Sequence, residues 1–577
     1  MSKDLKERLS QRFSSSLPVL EWLPQYDKSW LRLDIVAGIT VAAAVIPEGL
    51  AYASLANLPP ETGLYAGLMA AIAYLFLGTS RQVMVGPTSA LAILLASGVG
   101  AVAGGNSASY ASLVIITTIL VGVFAVIAWV FRLGFLVHFM SESVLTGFSA
   151  GAALYIMSTQ LNKLFGIESS ASRAFFGETF FGRIWYTGTN LAETNPETLA
   201  VGVAGIVLLV FGERYLPRAP NSLLVVVLSI MLMSVTNLQA RGVAIVGSIP
   251  SGLPSLTVPA VPSIPTIGSL VPVAIALFLL SYVEGISAVE TFARRHDYQT
   301  DANQELLADG GANLAAGFGG GFVVGGSMSR SALNDAVGSK TQLTNAVVAL
   351  VLAVVLLFLT SVFTNLPETI LAAIVIVAVT GLIDTNALRQ LYHVSKSEFA
   401  IAMSALLGVL TVGMIWGVFV GVVLSLLIAI SRVSRPLTHE LGQIVRTDHF
   451  VALDLYPAAT TITDVFVYRV EAELFYANAD TVRIDLLERL AERDSDVELV
   501  VFDLTSSSTV DFEAAQMLGK LEQKLDSREI DLRFAGAESE VVQMFETTGL
   551  AANAGGVKPE ESVDDVIDRW RAEQSSS

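Results

Sequence analysis

The stretch "GGSMSRSALNDAVGSKTQ", Gly325 to Gln342, lies between long apolar segments and carries Arg330, Asp335 and Lys340. It is too short, too glycine-broken and too charged for an ordinary bilayer-crossing helix, which needs about 20 apolar residues. An earlier stretch, "VMVGPTSALAILLASG" (83–98), is also short and opens on Gly86-Pro87. The two resemble each other locally, "VGPTSAL" from Val85 and "VGGSMSRSAL" from Val324. The fold turns on why one chain holds two such interrupted segments.

The surroundings are those of a polytopic membrane protein. The chain has 577 residues, of which 53% are hydrophobic and 15% charged, with a mean hydropathy of +0.62. Soluble proteins run at about 45–50% apolar and about 25% charged. Apolar runs predict spans at about 33–55, 62–79, 84–100, 111–132, 141–162, 198–215 and 220–237. A second set follows at about 269–293, 303–321, 325–338, 342–364, 368–383, 398–417 and 418–433. The polar piece 163–197 and the proline-rich piece 249–266 read as loops, the latter a joint between halves. Each interrupted stretch is the third of its seven. Broken helices at corresponding places in two halves point to a transporter built from repeats, with its site at the breaks. Seven is odd, so the second repeat enters from the opposite face and the repeats are inverted. Glu48 lies 38 residues before Gly86 and Glu284 lies 41 before Gly325, both inside apolar spans.

Charge is spread unevenly. Leu441 to Ser577 holds 28 of the 52 acidic residues and 12 of the 34 basic ones, so −16 of the net −18 sits in the last quarter. That quarter also lacks long apolar runs. The reading is a cytoplasmic N-terminal segment (1–32), a transmembrane domain (33–435, repeats about 33–237 and 269–433) and a soluble acidic domain (441–577). Such acidity excludes a nucleic-acid partner, which needs a basic face. With no cysteine, disulfides and thiolate chemistry are excluded. Lys3, Lys6, Arg8, Arg12, Lys28 and Arg32 precede the first span, and Arg432 and Arg435 follow the last. The positive-inside bias puts both termini in the cytoplasm of a multi-pass plasma (inner) membrane protein.

Interrupted helices at membrane depth must line a protein cavity, since bare N–H groups cannot face lipid. Two half-helices that start near the midplane point their N-termini at each other. Each carries about +0.5 charge and free donors, so the pair suits an anion. Gly86, Gly325 and Gly326 let backbone approach closely. Thr88, Ser89, Ser327 and Ser329 add hydroxyls, and Arg330 adds a full positive charge. Arg330 has two other roles open to it, snorkelling or pairing with Glu48 or Glu284. The glycines have helix packing as an alternative, above all in "GFGGG" (317–321). A carboxyl desolvated in such a cavity favours its neutral form, so Glu48 and Glu284 could load and release protons, or act as static partners of Arg330. Tyr52, one turn beyond Glu48, faces the same cavity or packs. Glu142 reads as interfacial. "AVGSKT" (336–341) is not a phosphate loop, because Ser339 separates its Gly and Lys. "HDYQTD" (296–301) reads as a solvated loop, and no metal or cofactor site emerges.

These residues resemble a known family. "DIVAGITVAAAVIPEGLAYASLANLPPETGLYAG" (34–67), "GTSRQVMVGPTSAL" (78–91), "LGFLVHFMSESVLTGFSAGAALYIMSTQL" (133–161), "VGSIPSGLP" (246–254) and the run from Asn303 to Asn345 are similar to the sulfate permease family, solute carrier family 26 in animals. The resemblance implies an all-α domain of 14 spans in two inverted seven-helix repeats, divided into core and gate. It implies a homodimer working by an elevator motion. Carried over residue by residue, the substrate site is Tyr52, Gly86, Pro87, Thr88, Ser327, Met328, Ser329 and Arg330, with coupling through Glu48, Glu284 and Ser287. Many relatives have Gln where this chain has Glu48, and animal relatives often have an aromatic in place of Thr88. Plant sulfate carriers have a glutamate matching Glu284. Sodium-linked bicarbonate relatives have a hydroxyl where this chain has Ala288.

The tail resembles the STAS domain, an α/β module. Its strands are "VFVYRV" (465–470), "ELVVFDLT" (498–505) and "DLRFAGA" (531–537), with a helix at "EAAQMLGKLEQKL" (513–525). "EAELFYANAD" (471–480) matches the family's strand-to-helix passage. Phe512 and Glu513 stand where signalling relatives have a phosphorylatable serine. The function implied is secondary active transport of small inorganic anions, sulfate foremost and proton-coupled, not an enzyme. Sodium-coupled bicarbonate transport, anion exchange and an anion channel are the alternatives, and the partners are the anion, a proton or sodium, membrane lipid and a second copy of the chain.

Overall fold

The computed structural model describes residues 17–104, 107–135, 141–167, 179–216, 219–260, 262–444, 447, 449–493 and 497–575. Lys3, Lys6, Arg8 and Arg12, on which the topology argument draws, lie outside the described residues. The chain divides into two compact units, 1–425 and 426–577.

The first unit is helical. Its fourteen membrane segments are α1 Leu31–Leu55, α2 Glu61–Leu77, α3 Ser89–Ala103, α4 Ser107–Val130, α5 Glu142–Phe165, α6 Pro196–Tyr215, α7 Asn221–Val235, α8 Ile264–His296, α9 Ala302–Phe318, α10 Met328–Val337, α11 Leu343–Val354, α12 Glu368–Thr380, α13 Lys396–Val412 and α14 Met414–Ser434. Their starts are written in the sequence. Asn195 caps α6 with Pro196 at its first position, Ser263 caps α8, and Asp301 caps α9 through the Asn303 and Gln304 amides. On α6, Val203, Val207, Val210 and Phe211 are exposed, as are Leu224, Val227, Leu228 and Met231 on α7. Apolar faces of that extent suit hydrocarbon, not water.

The helices sort into two groups by what they pack against. α9 lies on α4 and α2, α11 on α1 and α2, α8 on α4 and α3, and α10 on α1. In the other group, α13 and α12 lie on α5, while α12 and α7 lie on α6. Exchanging the two halves maps this pattern onto itself: α9 on α4 answers to α2 on α11, α8 on α3 to α1 on α10, and α13 on α5 to α6 on α12. Such self-mapping is what an internal repeat produces.

The third member of each half is broken as expected. At 15 and 10 residues, α3 and α10 span only about 22 and 15 Å. The rest of each crossing is extended chain, β1 Val85–Gly86 and β2 Gly325–Gly326. These pair antiparallel, Val85 with Gly326 and Gly86 with Gly325. The Ser327 N–H donates to the Met84 carbonyl at 3.0 Å, which continues the ladder. The non-helical backbone is thus satisfied inside protein.

Two readings need amending. The piece 163–197, read as a loop, contains a helix, Phe180–Thr189, capped by Thr179. Phe181 and Trp185 project from it, 55% and 64% exposed, as suits an interfacial amphipathic turn. The eleventh span, read as one helix over 342–364, changes to a π turn at Val355–Leu359 and a 3-10 turn at Thr360–Asn365. The proline-rich joint is, over its described residues, a loop up to the start of α8, as read, and is held by Gly252 donating to Leu356 and Thr257 to Phe318, backbone to backbone.

The second unit is a five-stranded sheet in the order β4-β3-β5-β6-β7, with β3 Thr438–Gln443, β4 Phe450–Ala452, β5 Val465–Val470, β6 Leu499–Asp503 and β7 Asp531–Ala535. β3 pairs antiparallel with both β4 and β5, and β5, β6 and β7 run parallel. Side chains alternate across the strands. Phe466, Tyr468, Phe502 and Phe534 face α15 Ala479–Ala491, α16 Phe512–Asp526 and α17 Ser539–Thr548. Val465, Val467, Val501 and Ala535 face α18 Val563–Gln574, which buries Trp570. At β6, Asp503 is fully buried and takes Arg469 at 2.6 Å. Burial and the Asp485 carboxylate push the Tyr468 phenol, which donates to it at 2.7 Å, well above its ordinary range.

Candidate anion-binding site

The crossed strands aim two helix starts at one place. Thr88 caps α3, its hydroxyl accepting the Leu91 N–H at 3.4 Å. Ser327 caps α10 in the same way, accepting the Arg330 N–H at 3.4 Å. Ala92 and Ser331 already donate to the Thr88 and Ser327 carbonyls. The amides of Ser89, Ala90, Met328 and Ser329 precede the first helical bond of each ladder and are left for a ligand or water. Both helix dipoles present their positive ends there.

Side chains that sequence reasoning did not assign to the site hold the crossing. Asn313 of α9 grips Val324 both ways, its Oδ1 accepting from the amide at 3.0 Å and its Nδ2 donating to the carbonyl at 3.1 Å. Ser331 donates to the Ser327 carbonyl at 2.6 Å and accepts the Met84 N–H at 3.0 Å. Asn334 donates to the Gln82 carbonyl at 2.9 Å. The available signal was three polar residues inside otherwise apolar packing.

Arg330 is the centre of the electrostatics. Its side chain is 2% exposed, which excludes snorkelling. Its Nη1 lies 3.8 Å from Glu48 Oε2, an ion-pair distance too long for a hydrogen bond. Among the described residues, Nε, Nη1 and Nη2 have no hydrogen-bond partner. Buried polar groups are almost always bonded, and an unsatisfied one is costly. A guanidinium left this way, between two helix starts, has donors to give to an anion. It lies against Gly86, where a Cβ would come to 3.3 Å from Nη1.

The two carboxyl groups sit differently. Glu48 faces Arg330, whereas Glu284 accepts the Thr88 hydroxyl at 3.4 Å. Tyr52 is buried and within electrostatic reach of Glu48, Arg330 and Glu284. The Ser327 and Ser329 hydroxyls lie 3.3 Å apart. Gly86 and Pro87 are buried at the break, and Gly326 packs on the backbone of Gly285. Ser287, half-buried one turn beyond Glu284, and Met328, 42% exposed, make no hydrogen bond to this group.

The neighbouring loops are specific. Asp34, fully buried at the start of α1, accepts from the Lys340 and Thr341 amides at 2.7 and 3.2 Å, from the Thr341 hydroxyl at 2.7 Å and from Tyr26 at 3.2 Å. The amides of the "GSKT" turn are therefore taken by a carboxylate. The "HDYQTD" piece is solvated as read, with no residue of it buried, and its neighbours are tied through it. His296 and Arg295 hold Asp335 at 2.5 and 2.8 Å, and Tyr298 bonds Ser80 and Gln82 at 2.9 and 2.8 Å.

Comparison with known proteins bears on the family and the fold. The sulfate permease family model matches residues 31–405, and the STAS domain model matches 456–566. A probable sulfate transporter of Mycobacterium tuberculosis (strain CDC 1551 / Oshkosh) is 34% identical over 531 residues, covering 92% of this chain and 94% of its own. Probable sulfate transporter 3.4 of Arabidopsis thaliana is 30% identical over 597 residues, covering 98% and 90%. Among solved structures, the inward-facing murine solute carrier 26 family member A9 anion transporter superposes with a TM-score of 0.88 at 24% identity, over 97% of this chain and 95% of that one. The transmembrane domain of a cyanobacterium bicarbonate transporter gives 0.60 at 20% identity, over 70% and 98%.

Proposed function

The chain belongs to the sulfate permease family, and on that premise we propose that it is a secondary active transporter of small inorganic anions, sulfate foremost, coupled to protons. The observation that carries the reading is the buried Arg330 guanidinium, without a hydrogen-bond partner among the described residues, between two hydroxyl-capped helix N-termini. An anion there receives backbone amides from both helices, the Ser327 and Ser329 hydroxyls and the Arg330 fork, with the Thr88 hydroxyl freed to join them when Glu284 takes a proton. Gly86 and Pro87 shape the approach, and Tyr52 and Met328 form its wall.

Charge balance gives the coupling. Arg330 supplies +1 and the two helix ends about +0.5 each. Glu48 and Glu284, both ionised, cancel that sum. A dianion entering this neutral site is opposed by both carboxylates. A proton on each leaves about +2, which matches sulfate. The Thr88 bond to Glu284 links the carboxyl to the helix start that holds the anion, and Ser287 lies on the next turn of the same helix. The group α1–α4 with α8–α11 carries the whole site, and sliding it against the other group gives elevator-type alternating access. The protein works as a homodimer in the plasma membrane, with both termini in the cytoplasm.

The test is uptake of a panel of radiolabelled anions into proteoliposomes, with proton and sodium gradients set independently. Sulfate uptake is expected to follow an inward proton gradient and to survive replacement of sodium by choline. Glu284→Gln is expected to lose gradient-driven uptake while retaining sulfate exchange. Uptake that needs sodium, or prefers bicarbonate, overturns the assignment. Unchanged proton-driven uptake in Glu284→Gln removes the coupling role.

A further inference from the structure

Two more buried carboxyl groups lie on α9, outside the anion site. Glu305 and Asp309 are one turn apart on one face of the helix, 5% and 8% exposed. They line a cavity with Ser281 and Tyr282 of α8, Tyr74 of α2 and Gly326 of the crossing. It has room for about one water molecule. No Lys, Arg or His lines it.

The partners distinguish the two acids. Glu305 accepts three hydrogen bonds, from the Tyr74 hydroxyl at 2.9 Å and from the Thr79 amide and hydroxyl at 2.7 and 2.5 Å. Asp309 Oδ1 accepts from Ser281 at 2.5 Å and from Asn313 at 3.3 Å. Its Oδ2 is buried and has no partner among the described residues. The other polar groups nearby are committed. Tyr282 donates to the Gly134 and Ala302 carbonyls, Thr117 and Thr118 of α4 bond their own helix, and Tyr298 is held by Ser80 and Gln82. Arg81 stacks on the Tyr298 ring and does not line the cavity. Two carboxylates one turn apart, without a cation, do not both ionise in a low-dielectric interior. With three donors against the one-sided bonding of Asp309, Glu305 is the better placed of the two to hold the negative charge.

We propose that Asp309 is a further buried proton-binding residue, outside the anion site, which carries its proton on Oδ2 and donates a hydrogen bond through it to a water in the cavity. Its bond to Ser281, one turn before Glu284, ties this proton to the helix that carries the anion-site carboxyl. The inference does not rest on the anion assignment, because neither acid touches that site.

Infrared difference spectroscopy of the purified full-length protein, alkaline minus neutral, tests it. A protonated-carboxyl C=O band that shifts in deuterated water is expected in a Glu48→Gln/Glu284→Gln background, which removes both anion-site carboxyls, and is expected to be lost when Asp309→Asn is added; the variants that follow are made in that background. Should Asp309→Asn fail to fold, Ser281→Ala, which removes only the shorter of the two hydrogen bonds to Oδ1, is expected to move the band. Absence of the band, or its persistence in Asp309→Asn, overturns the proposal, as does an unmoved band in Ser281→Ala. A sodium-dependent rise in Tm that Asp309→Asn abolishes also overturns it, and assigns the cavity to a monovalent cation.

Discussion

Replacing Arg330 separates its two relations, to Glu48 and to the anion. At 3.8 Å and an effective dielectric near 20, attraction to Glu48 is about 4 kcal/mol before desolvation offsets it. Arg330→Ala alone strands Glu48 without its cation, so its effect on anion affinity mixes two causes. In a Glu48→Gln background the carboxylate is gone and the loss reports the anion contact. One charge-assisted hydrogen bond contributes about 1.5–3 kcal/mol, which converts to roughly 10- to 150-fold in Kd. Sulfate binding to purified Glu48→Gln and to the double variant, by titration calorimetry, is expected to differ by that factor. Arg330→Lys in the same background is expected to fall between, since an ammonium keeps the charge and loses the planar fork. Indistinguishable affinities for Glu48→Gln and the double variant refute the contact and leave Arg330 as a structural charge.

Two further outcomes concern the scaffold. A Cβ at Gly326 would lie 2.6 Å from the Gly285 Cα, a backbone overlap, so Gly326→Ala is expected to force α8 off the crossing at about 1–3 kcal/mol, read as a fall in Tm in detergent. Asp34→Ala removes the acceptor for two backbone amides and the Thr341 hydroxyl, and each stranded donor costs about 1–3 kcal/mol. Asp34→Asn, which keeps one carbonyl oxygen, is expected to retain most of that stability in the same assay, and equal losses would contradict the role assigned to Asp34.

The membrane fold was legible because its signals are local. Apolar runs located the spans, and Gly86-Pro87 and Gly325-Gly326 located the breaks before β1 and β2 could be seen to pair. The reading of Thr88 and Ser327 as donors was incomplete. Both cap their own helices, and a cap follows from the residue type at a helix start. The roles of Arg330 were open from sequence because snorkelling and burial differ only in side-chain direction, and its 2% exposure decides between them. Asp34 and Asp309 stayed hidden for another reason. Asp34 meets a turn 306 residues away, and Asp309 shares its cavity with Tyr74 on a different helix. Nothing in the neighbouring sequence marks such contacts. The helix at 180–189 was missed because a ten-residue amphipathic segment with polar flanks has the composition of a loop.

The central claim is that the anion sits where the two helix starts meet. Selenate is a sulfate analogue with an anomalous signal, and diffraction at the selenium edge from crystals of the protein soaked in it gives the position directly. The expected result is one anomalous peak between the Thr88–Ala90 and Ser327–Ser329 backbones, beside the Arg330 guanidinium, and no such peak in Arg330→Ala. A peak elsewhere in the protein, with that space empty, would contradict the account.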